Sequence, residues 1–317
     1  MTETAAARPK VRIVEVEPDD AGQRVDNYLL RVLRGVPRSR VYRLLRRGEV
    51  RVNGGRVRAS RRLAAGDRVR LPPVHGERYA EGRLPPGLLA RLRDATLYED
   101  EQALVLDKPA GIAVHAGTGL GGGLIDGLRE LRPDVARPEL VHRLDRDTSG
   151  CLLIAKGRSA LRRLQDELRA GGFEKIYHAV LLGDWAGPRT TVDARLQRYM
   201  PASGERLVRA DPAGRSARSH FERIGGADGL TLVEVRIETG RTHQIRVHAA
   251  GLGHPVAGDA KYGVRERERA LFAGGRAPRL LLHASGLGFT GTNGWVRVDS
   301  ALPLEFDAVR AGLITRD

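Results

Sequence analysis

The run His142-Arg143-Leu144-Asp145-Arg146-Asp147-Thr148-Ser149-Gly150 sets two carboxylates among two arginines, behind a histidine. A close opposite charge lowers a carboxyl pKa by roughly 1–3, so an acid in this company stays ionised at neutral pH. An ionised, oriented carboxylate is a nucleophile or a base. A turn carrying a surface ion pair accounts for the same residues equally well, and such a pair contributes little energy. The Thr148-Ser149-Gly150 break then leads into an apolar strand, Cys151 to Ala155.

Two further segments hold more functional residue types than packing requires. Glu174-Lys175-Ile176-Tyr177-His178-Ala179-Val180 puts a tyrosine on a strand. Such a residue is commonly core, although its ring can stack on a base while its hydroxyl handles a proton. Thr239-Gly240-Arg241-Thr242-His243-Gln244-Ile245-Arg246-Val247-His248 opens with a turn, after which large polar residues alternate with Ile245 and Val247; Gly253-His254-Pro255 and Gly258-Asp259 follow. His243 and His248 are five apart, which is not the one-face spacing of a zinc-binding helix. The single cysteine, Cys151, reads as a small buried hydrophobe in Cys151-Leu152-Leu153-Ile154. No metal is expected. Gly117-Thr118-Gly119-Leu120-Gly121-Gly122 fits a dinucleotide-binding glycine pattern, and Glu139 lies where a ribose-binding acid would. The pattern is weak in a chain with 39 glycines, and no regular strand-helix alternation surrounds it. Ser149 lacks the Gly-x-Ser-x-Gly elbow of a serine hydrolase.

The elements that would position these groups fall into two parts. Arg24 to Arg70 reads as a small module: a helix with Val25, Tyr28, Leu29, Leu30, Val32 and Leu33 at helical spacing, then a second helix. Ser39 is placed to cap the second helix, Val41, Leu44 and Leu45 form its inward stripe, and Gly48 ends it. Short strands follow, at Glu49 to Val52, Arg56 to Arg58 and Val69 to Leu71, with Asn53-Gly54-Gly55 as a turn. Arg38, Arg40, Arg43, Arg46 and Arg47 surround the second helix's apolar stripe, without acids at i+4 spacing to offset them. The whole chain of 317 residues carries a net charge of +15, and all but five of its 54 basic residues are arginine, whose planar fork suits phosphate. A polyanion is the usual outlet for such an excess. An anionic membrane fits less well, because no long basic amphipathic helix and no apolar span occurs. Residues 1–20 read as a disordered tail, 21–72 as the module, 73–90 as a linker and 91–317 as a mixed, largely antiparallel α+β domain with flanking helices.

Three patterns of the module, Arg-Val-Asp-Asn-Tyr-Leu from Arg24, Ser-Arg-Val-Tyr-Arg-Leu-Leu-Arg-Arg-Gly-Glu-Val-Arg-Val-Asn-Gly from Ser39 and Gly-Asp-Arg-Val from Gly66, make it resemble the small α/β RNA-binding domain of the S-four type. His-Arg-Leu-Asp-x-x-Thr-Ser-Gly, Lys-x-Tyr-x-Ala and Gly-Arg-Thr-His-Gln-Ile-Arg-Val-His, in this order, together resemble the pseudouridine synthases that modify large-subunit ribosomal and some transfer RNAs. Leu106-Asp107-Lys108-Pro109, Gly258-Asp259 to Tyr262-Gly263 and Leu280 to Ala284 match further. The resemblance implies an isomerase that converts uridine to pseudouridine in 23S ribosomal RNA and needs no cofactor. Met1 to Lys10 lacks the apolar core of a secretory signal, so a cytoplasmic protein is expected, and a monomer. The resemblance makes Asp145 the catalytic carboxylate, sets Tyr177 against the flipped uracil and pairs Arg246 with Asp145. Arg143, Arg241 and His243 join the five arginines of the module as expected RNA contacts. The same reaction on another RNA, or a non-catalytic role in ribosome assembly, is the alternative. The segment Gly183 to Gly214 receives no role.

Overall fold

Hydrophobic periodicity shapes the first of two units, Met1–Gly82 and Arg83–Asp317, in the computed structural model of the chain. The structure describes residues 11–306 apart from 34–35, 37, 74–85, 115–122, 136, 186, 188, 202–204 and 273–276, and without the side chains of 38, 86, 88 and 227. Strand β1 (Arg12–Glu15) leads to helices α1 (Val25–Val32) and α2 (Arg38–Arg47), then β2 (Arg51–Val52), β3 (Gly55–Arg56) and β4 (Arg68–Leu71). The four strands pair antiparallel in the order β1-β4-β2-β3. Val25, Tyr28 and Leu29 of α1 and Val41, Leu44 and Leu45 of α2 share one core with Val52, Val69 and Leu71. Asp26 is buried in it, accepts hydrogen bonds from Arg24 and the Tyr42 hydroxyl, and so ties the two helices. Those bonds, Arg24's first, hold its carboxyl down to about 2.

The expected boundaries need correction here. Within the expected tail, Arg12–Glu15 forms an edge strand on β4 and Pro18–Asp20 a 3-10 turn; residues 1–10 lie outside those described. Ser39 does not cap α2, because the helix starts at Arg38. Gly48 does end it in the left-handed conformation, at φ +69°.

The second unit begins with α3 (Pro86–Arg93), which occupies the end of the expected linker; the linker's residues 74–85 lie outside those described. It continues through β5 (Thr96–Glu99), β6 (Ala103–Lys108), α4 (Leu124–Leu131), β7 (Glu139–Leu140), β8 (Ser149–Ala155), α5 (Arg158–Arg169), β9 (Glu174–Leu182), β10 (Thr190–Tyr199), β11 (Leu207–Ala210), β12 (Arg215–Ala227), β13 (Leu230–Ile237), α6 (Gln244–Gly251), α7 (Arg265–Leu271), β14 (Leu282–Gly291) and β15 (Gly294–Asp299). The sheet runs β11-β10-β12-β13-β9-β14-β8-β6-β5, with β15 beside β14 and β7 beside β8. Only the β14–β8 pairing is parallel among the described strands. The domain is therefore α+β, with the mixed, largely antiparallel sheet its sequence suggests. The glycine run Gly117–Gly122 lies outside the described residues, but a doubly wound dinucleotide fold would need a parallel sheet that is not there.

The sheet centre is covered on both faces, which is why β6 and β8 read as unbroken apolar runs. Leu104, Leu106, Leu152 and Ile154 point one way, into a core with Leu92 of α3, Leu124 and Leu128 of α4, and Ile245 and Ala249 of α6. Ala103, Val105, Cys151 and Leu153 point the other way, onto Ala160 and Leu164 of α5. Burial pushes the Cys151 thiol up to about 12, leaving it an inert core residue. Among the described residues no helix is long and apolar enough to cross a membrane.

Candidate active site

Asp145 lies on the loop between β7 and β8, and the sequence around it fixes that loop from several sides. Leu144 is 5% exposed and belongs to the main core, a burial worth about 1.5–3 kcal/mol. His142 Nε2 accepts the backbone N–H of Leu153 at 3.1 Å. Burial, reinforced by the charge of Lys175, pushes His142 down to about 4, so it is a neutral strut. Beyond Asp145, the Arg146 carbonyl accepts from Gly111 N–H and from Lys108 Nζ, both at 2.9 Å. Gly150, at φ +102°, ends the loop where β8 meets β14; a Cβ there would collide with the carbonyl of Ala284.

Lys108 is fully buried, and its ammonium also donates to the carbonyls of Pro109 at 2.9 Å and Ile112 at 3.0 Å. Burial pushes it down to about 7 against the pull of Asp147 and Asp145. Replacing Lys108 with Met is expected to leave three carbonyls without that donor and to cost at least about 2 kcal/mol. Urea unfolding measures the loss.

The two carboxylates of the loop have different partners. Asp147 is held by its neighbour Arg146, at 3.0 and 3.2 Å. Asp145 instead accepts from Arg246 Nη1 at 3.1 Å, across 101 residues of sequence. Arg246 is on α6, and its other two nitrogens, Nε and Nη2, donate to the two oxygens of Asp259 at 2.7 Å each. The side chain of Arg246 is 7% exposed and that of Asp259 fully buried, whereas Asp145 retains 26% exposure. Arg246 is thus a fixed bridge between a buried acid and one that solvent or a ligand reaches. Burial alone would raise the Asp259 carboxyl, but Arg246 and the N–H groups of Lys261 and Tyr262 hold it below the usual carboxylate range. Burial likewise opposes the Arg246 charge, and Asp259 and Asp145 more than restore it.

His243 precedes α6 in the left-handed conformation, φ 53°, which a non-glycine residue holds only under constraint. Its Nδ1 lies 2.8 Å from the Tyr262 hydroxyl, which accepts the N–H of Val208 at 2.9 Å. The other ring nitrogen, Nε2, lies 3.9 Å from Asp145. Burial lowers His243 despite the charge of Asp145, so the two do not form an ion pair at neutral pH. The Arg246 guanidinium also lies over the Tyr262 ring, 5.3 Å from its centroid.

Tyr177 of β9 is 8% exposed in the same core as Leu144. Burial, and then the charge of Asp145, raise its phenol well above 10, so it stays protonated. Its hydroxyl has no partner among the described residues. Asp145, Tyr177, Arg246 and His243 thus form one cluster. Arg143 is exposed and makes no ion pair among the described residues, while the Arg241 side chain donates to the Ser216 carbonyl at 2.9 Å. Arg43, Arg46 and Arg47 are exposed on α2 and Arg40 half-buried; the Arg38 side chain lies outside those described. These five belong to the first unit.

The sequence reading missed Asp259, Tyr262 and Val208 as members of this cluster. The Gly258-Asp259 to Tyr262-Gly263 run was the available signal for the first two. A Cβ on Gly258, at φ +76°, would strike the carbonyl of Arg279, so only glycine turns the chain there. Val208 comes from the segment given no role, which forms β10 and β11 and is further tied by Lys261 to Glu205 at 2.8 Å. Beside Arg246 a cleft of about 940 Å³ is lined by Lys108, Arg146, Lys261 and Arg279. No group of three or more His, Cys, Asp or Glu side chains suited to a metal occurs among the described residues.

Residues 102–251 match the family model for RNA pseudouridylate synthase, and residues 23–69 match that for the S4 domain. The ribosomal large subunit pseudouridine synthase C of Salmonella typhimurium is 48% identical over 93% of this chain and 94% of its own length. The protein of the same name from Escherichia coli K12 gives the same figures. A solved structure, human RNA pseudouridylate synthase domain containing 1, superposes with a TM-score of 0.58 at 25% identity, covering 69% of this chain and 86% of that one.

Proposed function

The chain belongs to the RNA pseudouridine synthase family, and from that premise we propose that it isomerises uridines of 23S ribosomal RNA, with Asp145 as the catalytic carboxylate. The observation that carries this reading is the asymmetric bridge of Arg246, buried on Asp259 and reaching the accessible Asp145. The reaction breaks the bond between ribose carbon 1 and uracil nitrogen, turns the base and joins carbon 5 to the ribose. The proton on carbon 5 leaves and the freed nitrogen takes one up, so the product is an isomer. Such chemistry asks for an oriented carboxylate, a closed pocket that retains the detached base, and a proton acceptor.

Asp145 attacks or deprotonates the target nucleoside. Arg246 sets its orientation through the hydrogen bond from Nη1. Tyr177, protonated and with its hydroxyl unengaged, packs against the flipped uracil. Flipping costs a few kcal/mol, and an aromatic contact returns about 1–3 kcal/mol per base. Arg143, exposed beside Asp145 in sequence, Arg241 and His243 contact the RNA around that base, and the arginines of α2 supply phosphate contacts. The protein works in the cytoplasm as a monomer without metal or cofactor. An unmodified 23S transcript with tritium at uracil carbon 5 tests the reaction. The purified protein is expected to release tritium, equally well with chelator present. Tight binding without release would instead fit an assembly factor.

A further inference from the structure

Lys175 lies on β9 two residues before Tyr177, so both side chains leave the same face of the strand, about 7 Å apart along it. It is 9% exposed. Its Nζ donates to the Glu238 carbonyl at 3.3 Å and makes no ion pair among the described residues. An ammonium has three N–H donors, and a buried charge is normally paired. The carboxylates nearby are already engaged: Glu174 by Arg236 and Arg297, Glu238 by Arg218 and His220. The charge that Lys175 does feel is that of Arg241, and burial and Arg241 both push its ammonium down. Arg241 in turn feels the exposed Arg215, and neither arginine makes an ion pair among the described residues. Lys175 also lines an open cavity of about 510 Å³ with Phe173, His220, Arg236 and the two ion-paired carboxylates Glu174 and Glu238.

An apolar side chain would fill this position at lower cost. A buried cation that feels a second cation, at the edge of a cavity, is a site completed by an anion. We propose that Lys175, with Arg241, binds a phosphate of the RNA backbone one nucleotide or so from the uridine held at Tyr177 and Asp145. The substrate of the proposed function, on which this proposal rests, is the anion at hand. Arg241 is carried on the turn that leads through His243 into α6, so the phosphate site and the carboxylate site share one rigid connection. Gln244 locks that turn, since its Oε1 accepts from Thr239 Oγ1 at 2.8 Å and from the Arg241 N–H at 3.0 Å.

Lys175→Gln removes the charge and keeps a donor for the Glu238 carbonyl; Lys175→Arg keeps the charge. Binding of the unmodified 23S transcript is measured from 50 to 200 mM KCl. For Lys175→Gln, affinity is expected to fall about tenfold. The slope of log Kd against log salt is expected to lessen by about 0.7 to 0.9, one phosphate's worth. Lys175→Arg keeps the wild-type slope. Thermal melting is expected to show Lys175→Gln and Lys175→Met at least as stable as wild type, because an unpaired buried charge is gone. A wild-type slope in Lys175→Gln, or in Lys175→Met should the first not fold, overturns the proposal. Failure of the functional reading is separate: wild-type protein would then bind the transcript and release no tritium.

Discussion

Replacing Asp145 with Asn is expected to lower tritium release from labelled 23S transcript by at least about 10³-fold, the scale lost when a positioned carboxylate is removed from bond-making or proton transfer. Asparagine keeps the size of the side chain and a carbonyl to accept from Arg246 Nη1. RNA affinity should stay within about threefold of wild type, because phosphate contacts from Lys and Arg dominate it. The matched control is Asp147→Asn. Asp147 is paired with its exposed neighbour Arg146 and takes no part in the Arg246 bridge. Its replacement is expected to leave most of the turnover. Equal loss in the two variants would mean that the loop's overall charge matters, not the geometry at Asp145.

Asp259→Ala is expected to be the most destabilising single change near the site. It leaves Arg246, whose side chain is 7% exposed, with one of its two carboxylate partners. Removing one member of a buried ion pair costs about 3–5 kcal/mol, since the remaining charge stays desolvated. It also frees the N–H groups of Lys261 and Tyr262. Without that anchor Arg246 no longer approaches Asp145 in one orientation, so turnover should drop by about 10²-fold, the scale of a small misplacement. Denaturant unfolding and tritium release read the two effects. Loss of stability with unchanged turnover would make Asp259 a folding residue only.

Much of this architecture is legible in the residues. The periodicity of Val25 to Leu33 and of Val41 to Leu45 marks α1 and α2, since each has one plain buried face. The α6 segment misleads for a physical reason. Gln244, Ile245, Arg246, His248 and Ala249 are all buried, so the helix has no apolar stripe, and Ile245 and Val247 mimic strand alternation. Strand β1 hides because it is an edge with little burial. Of the site, Asp145, Tyr177 and Arg246 stand out by motif, but the charges of Asp145 and Asp147 cannot be told apart by composition. Their difference arises from contacts about a hundred residues away in sequence. Asp259 is marked only by the Gly258-Asp259 to Tyr262-Gly263 run, and nothing local distinguishes a clamp acid from a turn acid.

Pseudouridine mapping of 23S ribosomal RNA tests the central claim most directly, in cells that lack this gene and carry it back either intact or as Asp145→Asn. A defined set of pseudouridines is expected to vanish in the deletion, return fully with the intact gene and stay absent with the variant. Return of every site with Asp145→Asn, or a deletion that loses none, would contradict it.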